Sequence, residues 1–398
     1  MARPRLTPFP PPPETSMSSR FTLTTAMLMA LAATGALADS IRIGVNEPLT
    51  GAFAASGTYV VNGAKIAADE INAKGGVLGK TLELVIEDNK SNPTEAAAVA
   101  EKLITSDKTP VMMGAWGSSL TLAVMPKLID YEVPMLVETS SSGKITTSGN
   151  PFVFRISPPS ALEAENFAPM VSRLGIKKVD FLVINNDFGR GAATDFGKML
   201  KEKGVQIGLV ETMDQAAQDM SAQLAKLKAS DSDTIMITSA VDQLVLLFKQ
   251  MAALGLKKRV ITTGGSQNPD QIIAQAGAAA DGTMHLTTFL PWLPEKTPNP
   301  KATAYFIGEW KKRGFAFAGV TESFRGYDGI RAIAQAIEKA GSAEPAAITK
   351  AFWSVDLTGL NGPIRFAKSG PAGKESGQSK PDVYIIEIKD GRVVQPTL

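Results

Sequence analysis

The sequence predicts an α/β protein built as two doubly wound parallel-sheet lobes. Three observations lead there. Short apolar strands alternate with helix-period segments along nearly the whole chain, the pattern of a parallel sheet covered by helices on both faces. That alternation runs to residue 137 and starts afresh at 161, with no repeat of the sequence itself. Finally, 398 residues with 44% hydrophobic and 20% charged side chains suit two or three domains, or two lobes of one architecture, and exclude wholesale disorder.

Residues 41–45 (IRIGV) read as the first strand, followed by a Gly-, Ala- and Ser-rich loop. Val60, Ala64, Ala67, Ala68 and Ile71 then recur at helical spacing, and Gly75-Gly76 stops that helix. Residues 81–86 (TLELVI) form the next strand, and Pro93 opens a helix over 94–104. A buried strand at 111–113 ends at Gly114, 119–130 is helical, and 134–137 is a strand. In the second half, helices at 161–174, 191–203, 221–229 and 241–254 alternate with strands at 178–184, 206–210, 234–237 and 259–262. Further helices cover 302–312 and 327–340. Residues 382–388 (DVYIIEI) alternate strongly, and Asp390-Gly391 turns them into 392–394 as a hairpin.

The N-terminal segment is expected to stand outside this fold. Arg20 precedes an apolar run over 21–37 that ends in Ala36-Leu37-Ala38, a small-x-small cleavage pattern. The expectation is a signal peptide over 1–38, cut before Asp39, with a proline-rich extension ahead of Met17. The run is short for a membrane span and contains Thr22, Thr24 and Thr25. No Cys follows the cleavage point, so no lipid anchor is expected there. The product is expected in the periplasm.

Composition removes several function classes. Lys plus Arg is 41 and Asp plus Glu 39, so no strong positive field draws the chain to nucleic acid. The absence of Cys excludes disulfides, thiolate metal sites and Cys nucleophiles. A single histidine, His285, rules out a two-His metal site within one chain. It sits in a strand-like run (GTMHLTT) and reads as a core or hinge residue. No G-x-S-x-G occurs, so the usual nucleophile elbow is missing. Gly79-Lys80-Thr81 resembles the end of a P-loop, but Lys74 stands where the first glycine must be. Asp231 and Asp233 lack calcium-loop spacing. Neither a cofactor nor an enzyme activity is expected.

Two polar strand-to-helix loops stand out. Residues 114–119 (GAWGSS) follow a buried strand and open a helix, and 138–142 (ETSSS) follow the next strand. Ligands of open α/β sheets bind at carboxyl ends of strands. Ser118, Ser119, Ser140, Ser141 and Ser142, with Thr139 beside them, supply hydroxyls next to the free N–H groups of helix starts, a setting that favours a small anion such as a carboxylate. Helix capping alone would explain one serine per loop.

At this point the chain resembles type I periplasmic binding proteins, close to the leucine/isoleucine/valine-binding branch that serves ABC importers. The carriers are IRIGVNEPLTGAFAASG, NGAKIAADEINAKGGVLGK, LELVIEDNKSNPTEAAAVAEKLI, GAWGSSLTLAVMPKLIDYEVPML, NNDFGRGAATDFGKMLKEKG and FRGYDGIRAIAQAI. The resemblance covers essentially all of 39–398. It implies two lobes joined by three crossovers, with residues 39–157 and 288–362 in one and 158–287 and 363–398 in the other. Ligand binds in the cleft and a hinge closes the lobes.

By resemblance, the cargo carboxylate is held at Ser118, Thr139 and Ser141, and Phe188 stands at a tyrosine position. Three positions depart from the family. Its first-loop aromatic falls on Ser56, its second-lobe aromatic near Ala240, and the acid that pairs with a cargo ammonium near Gly264. An unpaired buried ammonium costs several kcal/mol, so an α-amino acid requires Asp187, Asp242 or Glu322 as a substitute. The expectation is therefore an amino acid or other small carboxylate. The alternative is an aromatic carboxylate stacked on Phe188, Phe53, Trp116 or Phe324. The expected partners are the permease and ATPase subunits of an importer, with the receptor itself a monomer. A ligand sensor of the same fold, acting through a regulatory partner, is the competing function.

Overall fold

The computed structural model describes Pro10, residues 40–265 and residues 267–396. The expected signal peptide over 1–38 lies outside the described residues, Pro10 apart. Among the described residues no helix is long and apolar enough to cross a membrane.

The first lobe is organised by a seven-stranded sheet of order β13-β14-β5-β4-β3-β1-β2. Its strands are β1 (Ile41–Glu47), β2 (Leu82–Asp88), β3 (Val111–Gly114), β4 (Met135–Val137), β5 (Val153–Arg155), β13 (Ala367–Ser369) and β14 (Ser376–Gln378). All neighbours run parallel except β13 with β14. The second lobe repeats the plan with order β16-β15-β10-β9-β8-β6-β7. There β6 (Lys178–Ile184), β7 (Gln206–Met213), β8 (Thr234–Thr238), β9 (Arg259–Gly265) and β10 (Met284–Thr287) are parallel. The expected hairpin, β15 (Tyr384–Lys389) and β16 (Arg392–Val394), closes that sheet antiparallel.

The strand order reverses between β1 and β3 in one lobe and between β6 and β8 in the other. These switch points open crevices at the carboxyl ends of the strands. Helices fill both faces. Alternate small and apolar residues decide their approach: α1 (Ala54–Ala73) and α11 (Val320–Ala340) cross with their backbones nearly in contact. A Cβ on Gly63 would lie 1.8 Å from Ser323 O, and one on Gly326 would lie 2.0 Å from Val60 O. No other residue permits that approach.

The chain passes between lobes three times, after β5, after β10 and after β14. The expectation that all of 363–398 belongs to the second lobe needs correction. β13 and β14 lie in the first sheet, because β14 adds parallel to β5 through Gly377–Phe154 and Gln378–Arg155. Strands of three residues carry too little pattern to be read locally. His285 is fully buried in the second core, between Thr262 Oγ1 at 2.7 Å and Thr283 Oγ1 at 2.8 Å. Burial pushes its pKa down to about 3, so it stays neutral.

Candidate ligand site between the lobes

The two singled-out loops meet at the switch point of the first sheet. Residues 114–117 leave β3 and enter α3 (Ser118–Tyr131); residues 138–142 leave β4. Thr121 N–H is the first helical donor, to Gly117 O, so the N–H groups of Ser118, Ser119 and Leu120 precede the helical ladder. Ser118 Oγ accepts from Ser142 N–H at 3.1 Å and keeps its own proton to donate. Thr139 Oγ1 is buried and, among the described residues, makes no well-aligned hydrogen bond, with the Glu138 carboxyl its near neighbour. Both groups border a cleft cavity with about 300 Å³ of space, part of it open to solvent.

That cavity is walled by Phe53 and Trp116 from the first lobe and by Phe188 from the second. The Phe53 and Trp116 ring centroids are 4.8 Å apart. Trp116 is anchored from behind, where Nε1 donates to Glu322 Oε1 at 2.6 Å. Gly117, Ser140, Ser141, Asn186 and Gly264 complete the lining, in which no charged side chain stands among the described residues. Asn186 caps α6 (Asp187–Glu202), where its Oδ1 accepts from Phe188 N–H and Gly189 N–H. Sequence reasoning missed it as a lining residue. Its only signal was the N-cap position directly ahead of Phe188.

Of the expected residues, Trp116, Ser118, Thr139, Ser140, Ser141, Phe188 and Gly264 converge on this cavity. Ser140 lines it, but its hydroxyl is committed to the framework: it bonds Trp116 O and Thr121 Oγ1, each at 2.7 Å. Four expectations need correction. Ser119 points across the cleft, donating to Asp187 Oδ2 at 2.9 Å and accepting from Asp187 N–H at 3.1 Å. One helical residue turns the side chain away from the direction Ser118 takes. Ser56 is buried in the first turn of α1 and does not line the cavity. Ala240 is buried ahead of α8 (Val241–Ala253), in one apolar cluster with Ile184 and Phe289. Phe324 stacks on Phe289 at 4.8 Å and lines a second cavity beside the crossovers, not this one.

None of the substitute acids lines the cavity either. Asp187 is engaged with Ser119 and with Lys144 Nζ at 3.2 Å. Burial raises its carboxyl, but hydrogen bonds from Ser119 and Lys144 outweigh burial and hold it below the usual range. Asp242 is exposed and accepts from Gln271 Nε2 at 2.7 Å. Glu322 stands behind the indole of Trp116.

A buried arginine supports the serine loop. Arg155, at the end of β5, donates to Ser140 O at 3.0 Å and Ser142 O at 2.7 Å, and also to Gln378 and Thr146. Burial lowers its pKa to about 9. It satisfies the carbonyls of the loop and so fixes where the Thr139 hydroxyl and the Ser142 N–H point.

Two α/β lobes with a polar, ring-walled cleft at facing switch points define a solute-binding receptor, and comparison with known proteins agrees. The family model for periplasmic binding proteins matches residues 40–392. The chain belongs to that family. A Pseudomonas aeruginosa protein named as a leucine-, isoleucine-, valine-, threonine- and alanine-binding protein is 28% identical over 334 residues, 84% of this chain and 87% of its own. The leucine-binding protein LivK of Thermotoga maritima superposes with a TM-score of 0.78 at 27% identity, covering 90% of this chain and 98% of that one. A Rhodopseudomonas palustris solute-binding protein solved with 4-hydroxybenzoate superposes with a TM-score of 0.76 at 25% identity, covering 90% and 96%.

Proposed function

We propose that the chain is the periplasmic receptor of an ABC uptake system and that its cargo is a small aromatic carboxylate without an ammonium group. One observation carries the ligand class: three rings and a set of hydroxyl and amide donors line the cavity, and no carboxylate does. Donors from Ser118, Thr139 and the start of α3 suit an anionic head. Phe53, Trp116 and Phe188 suit a planar, apolar body. A cargo ammonium would lie in this cavity without an acidic partner, at a cost of several kcal/mol. The 4-hydroxybenzoate bound by the Rhodopseudomonas relative supports the reading.

The lobes meet across the cleft through Ser119–Asp187, through Gln215 Nε2 to Ser91 O at 3.2 Å and through Thr321 Oγ1 to Asn268 Oδ1 at 2.8 Å. Such contacts suit capture by hinge closure, with the closed surface presented to permease subunits. A signal peptide over 1–38 would deliver the receptor to the periplasm.

Thermal unfolding of a 39–398 fragment against a ligand panel tests the reading. The panel holds benzoate, hydroxybenzoates, aromatic and branched-chain amino acids, and short aliphatic acids. Ligand at 100 times its dissociation constant adds ~2.7 kcal/mol and raises the midpoint visibly. Shifts with benzoates alone are expected. Shifts with leucine or valine alone would sink the aromatic-acid reading and place the chain with its branched-chain-binding relatives.

A further inference from the structure

Five carboxyl side chains are buried beneath the cleft and around the crossovers: Glu47, Glu138, Glu163, Glu322 and Asp328. The arginines near them are Arg325, which donates to Gly265 O at 2.7 Å, and Arg331, which pairs with Asp328 at 3.2 Å. Two cations do not balance five buried anions, so some of these groups must stay protonated.

The hydrogen bonds say which. Glu163 accepts from Gly264 N–H at 2.9 Å, Glu322 from Trp116 Nε1–H at 2.6 Å, and Asp328 from Leu360 N–H at 2.7 Å. Glu47 and Glu138 are less well served. Among the described residues none of their four oxygens makes a well-aligned hydrogen bond; Glu138 has only its own N–H and the Thr139 hydroxyl close by, and the two side chains lie within hydrogen-bonding reach of each other. Glu47 ends β1 and Glu138 follows β4, so they meet across the end of β3. Two contacting buried carboxyls are satisfied when one proton lies between them.

This pair adjoins the ligand site. Glu138 precedes Thr139, whose hydroxyl borders the ligand cavity, while its own side chain lines the second cavity with Arg325 and Asp328. An anionic ligand bound at Ser118 and Thr139 adds negative charge beside it. We infer that the Glu47–Glu138 pair of the ligand-free receptor is only partly protonated above neutral pH, and that the receptor takes up a proton onto this pair together with its anionic ligand. The inference rests on the carboxylate reading proposed above.

The groups facing the pair act as follows. Glu322, on α11, raises Glu47 further; Arg325, also on α11, opposes the rise at Glu138. Glu163, from α5 (Ser160–Arg173), draws on the same Arg325. Arg155, on β5, is committed to the carbonyls of Ser140 and Ser142. Burial outweighs the hydrogen bonds from its own N–H, from the Thr139 hydroxyl and from Glu47, and the charge of Arg325, and pushes Glu138 up to about 7, with Glu47 well above its ordinary range.

Residues 40–398 form a compact unit of their own, so the 39–398 fragment serves for the test. Calorimetric titration with benzoate near pH 7.5, in buffers of different ionisation enthalpy, counts the protons. Uptake approaching one proton is expected, with affinity falling up to about tenfold per pH unit above neutrality. Glu138→Gln and Glu47→Gln should each abolish the uptake. Benzoate binding without uptake, or uptake unchanged in both variants, would overturn the coupling. Infrared spectra of the ligand-free protein near pH 6.5 score the shared proton separately. A protonated-carboxyl band lost in both variants is expected, and its absence from the wild type overturns the pair whether or not benzoate binds. If the band is present and no acid of the panel binds, the coupling and the carboxylate reading fall together and the shared proton stands.

Discussion

The ring of Phe188 occupies the space that any side chain at position 264 would need. A Cβ built on Gly264 would lie 2.4 Å from Phe188 Cζ, and Gly264 itself has φ +97. A side chain at this position therefore requires the ring of Phe188 to shift.

Gly264→Ala should lower stability by about 1–3 kcal/mol, from overpacking and from the left-handed backbone together. Phe188→Ala in the same chain should recover the overpacking share and leave the backbone share. Urea unfolding of both single variants and the double variant measures that coupling. Additive effects would mean that ring and glycine do not compete.

Thr139→Val should change the stability of the ligand-free protein little, since Oγ1 makes no well-aligned hydrogen bond and loses only a weak contact with Glu138. Ser118→Ala removes an acceptor for Ser142 N–H as well. Each variant should weaken carboxylate binding by ~1.5–3 kcal/mol, the worth of a hydrogen bond to a charged group. Titration calorimetry separates this loss from any loss of fold.

The Ser119–Asp187 pair joins the lobes without lining the cavity. Ser119→Ala should therefore act on closure, leaving the ligand-association rate nearly unchanged and raising the dissociation rate several-fold, for about 1 kcal/mol. Stopped-flow fluorescence on Trp116 reads both rates. A changed association rate with an unchanged dissociation rate would mean that Ser119 touches the incoming ligand.

Glu138 also predicts a pH effect on stability. Its folded pKa is raised by burial to about 7 from 4.5. A raised carboxyl binds more protons folded than unfolded, so its contribution is fully present below pH 4.5 and is lost as pH rises to about 7. Glu138→Gln removes this titration and takes from Glu47 the neighbouring charge that helps to raise it. The variant should gain on the wild type across that window, by about 3 kcal/mol at its upper end, and the difference should then level off. Urea midpoints at a series of pH values measure it.

Local pattern made much of this legible. Alternation of apolar strands and amphipathic helices needs only neighbouring residues, so the sheets and the loops after β3 and β4 could be read directly. The loops that carry Ser118 and Thr139 could be read because ligand sites of parallel sheets lie at strand ends, and the family resemblance singled out these two residues within them. Ser118 and Ser119 could not be told apart, since consecutive helix positions differ by about 100° in direction and only the second lobe shows which of them faces it. Phe53 and Phe324 are both phenylalanines near a loop, yet only Phe53 reaches the cavity. Phe324 is held away by Phe289, a residue of another crossover.

Composition and periodicity thus determined the α/β class, the paired sheets, the absence of cysteine and the two polar loops that border the cleft cavity. Each of these follows from residue type and spacing along one stretch of chain. The partners of side chains distant in sequence were decided only by the tertiary structure. Position 264 is closed by the ring of Phe188, Ser119 reaches Asp187 in the other lobe, and Glu47 meets Glu138 across the end of β3. The strength of such contacts depends on distance and burial, which arise only when strands far apart in the chain are brought side by side.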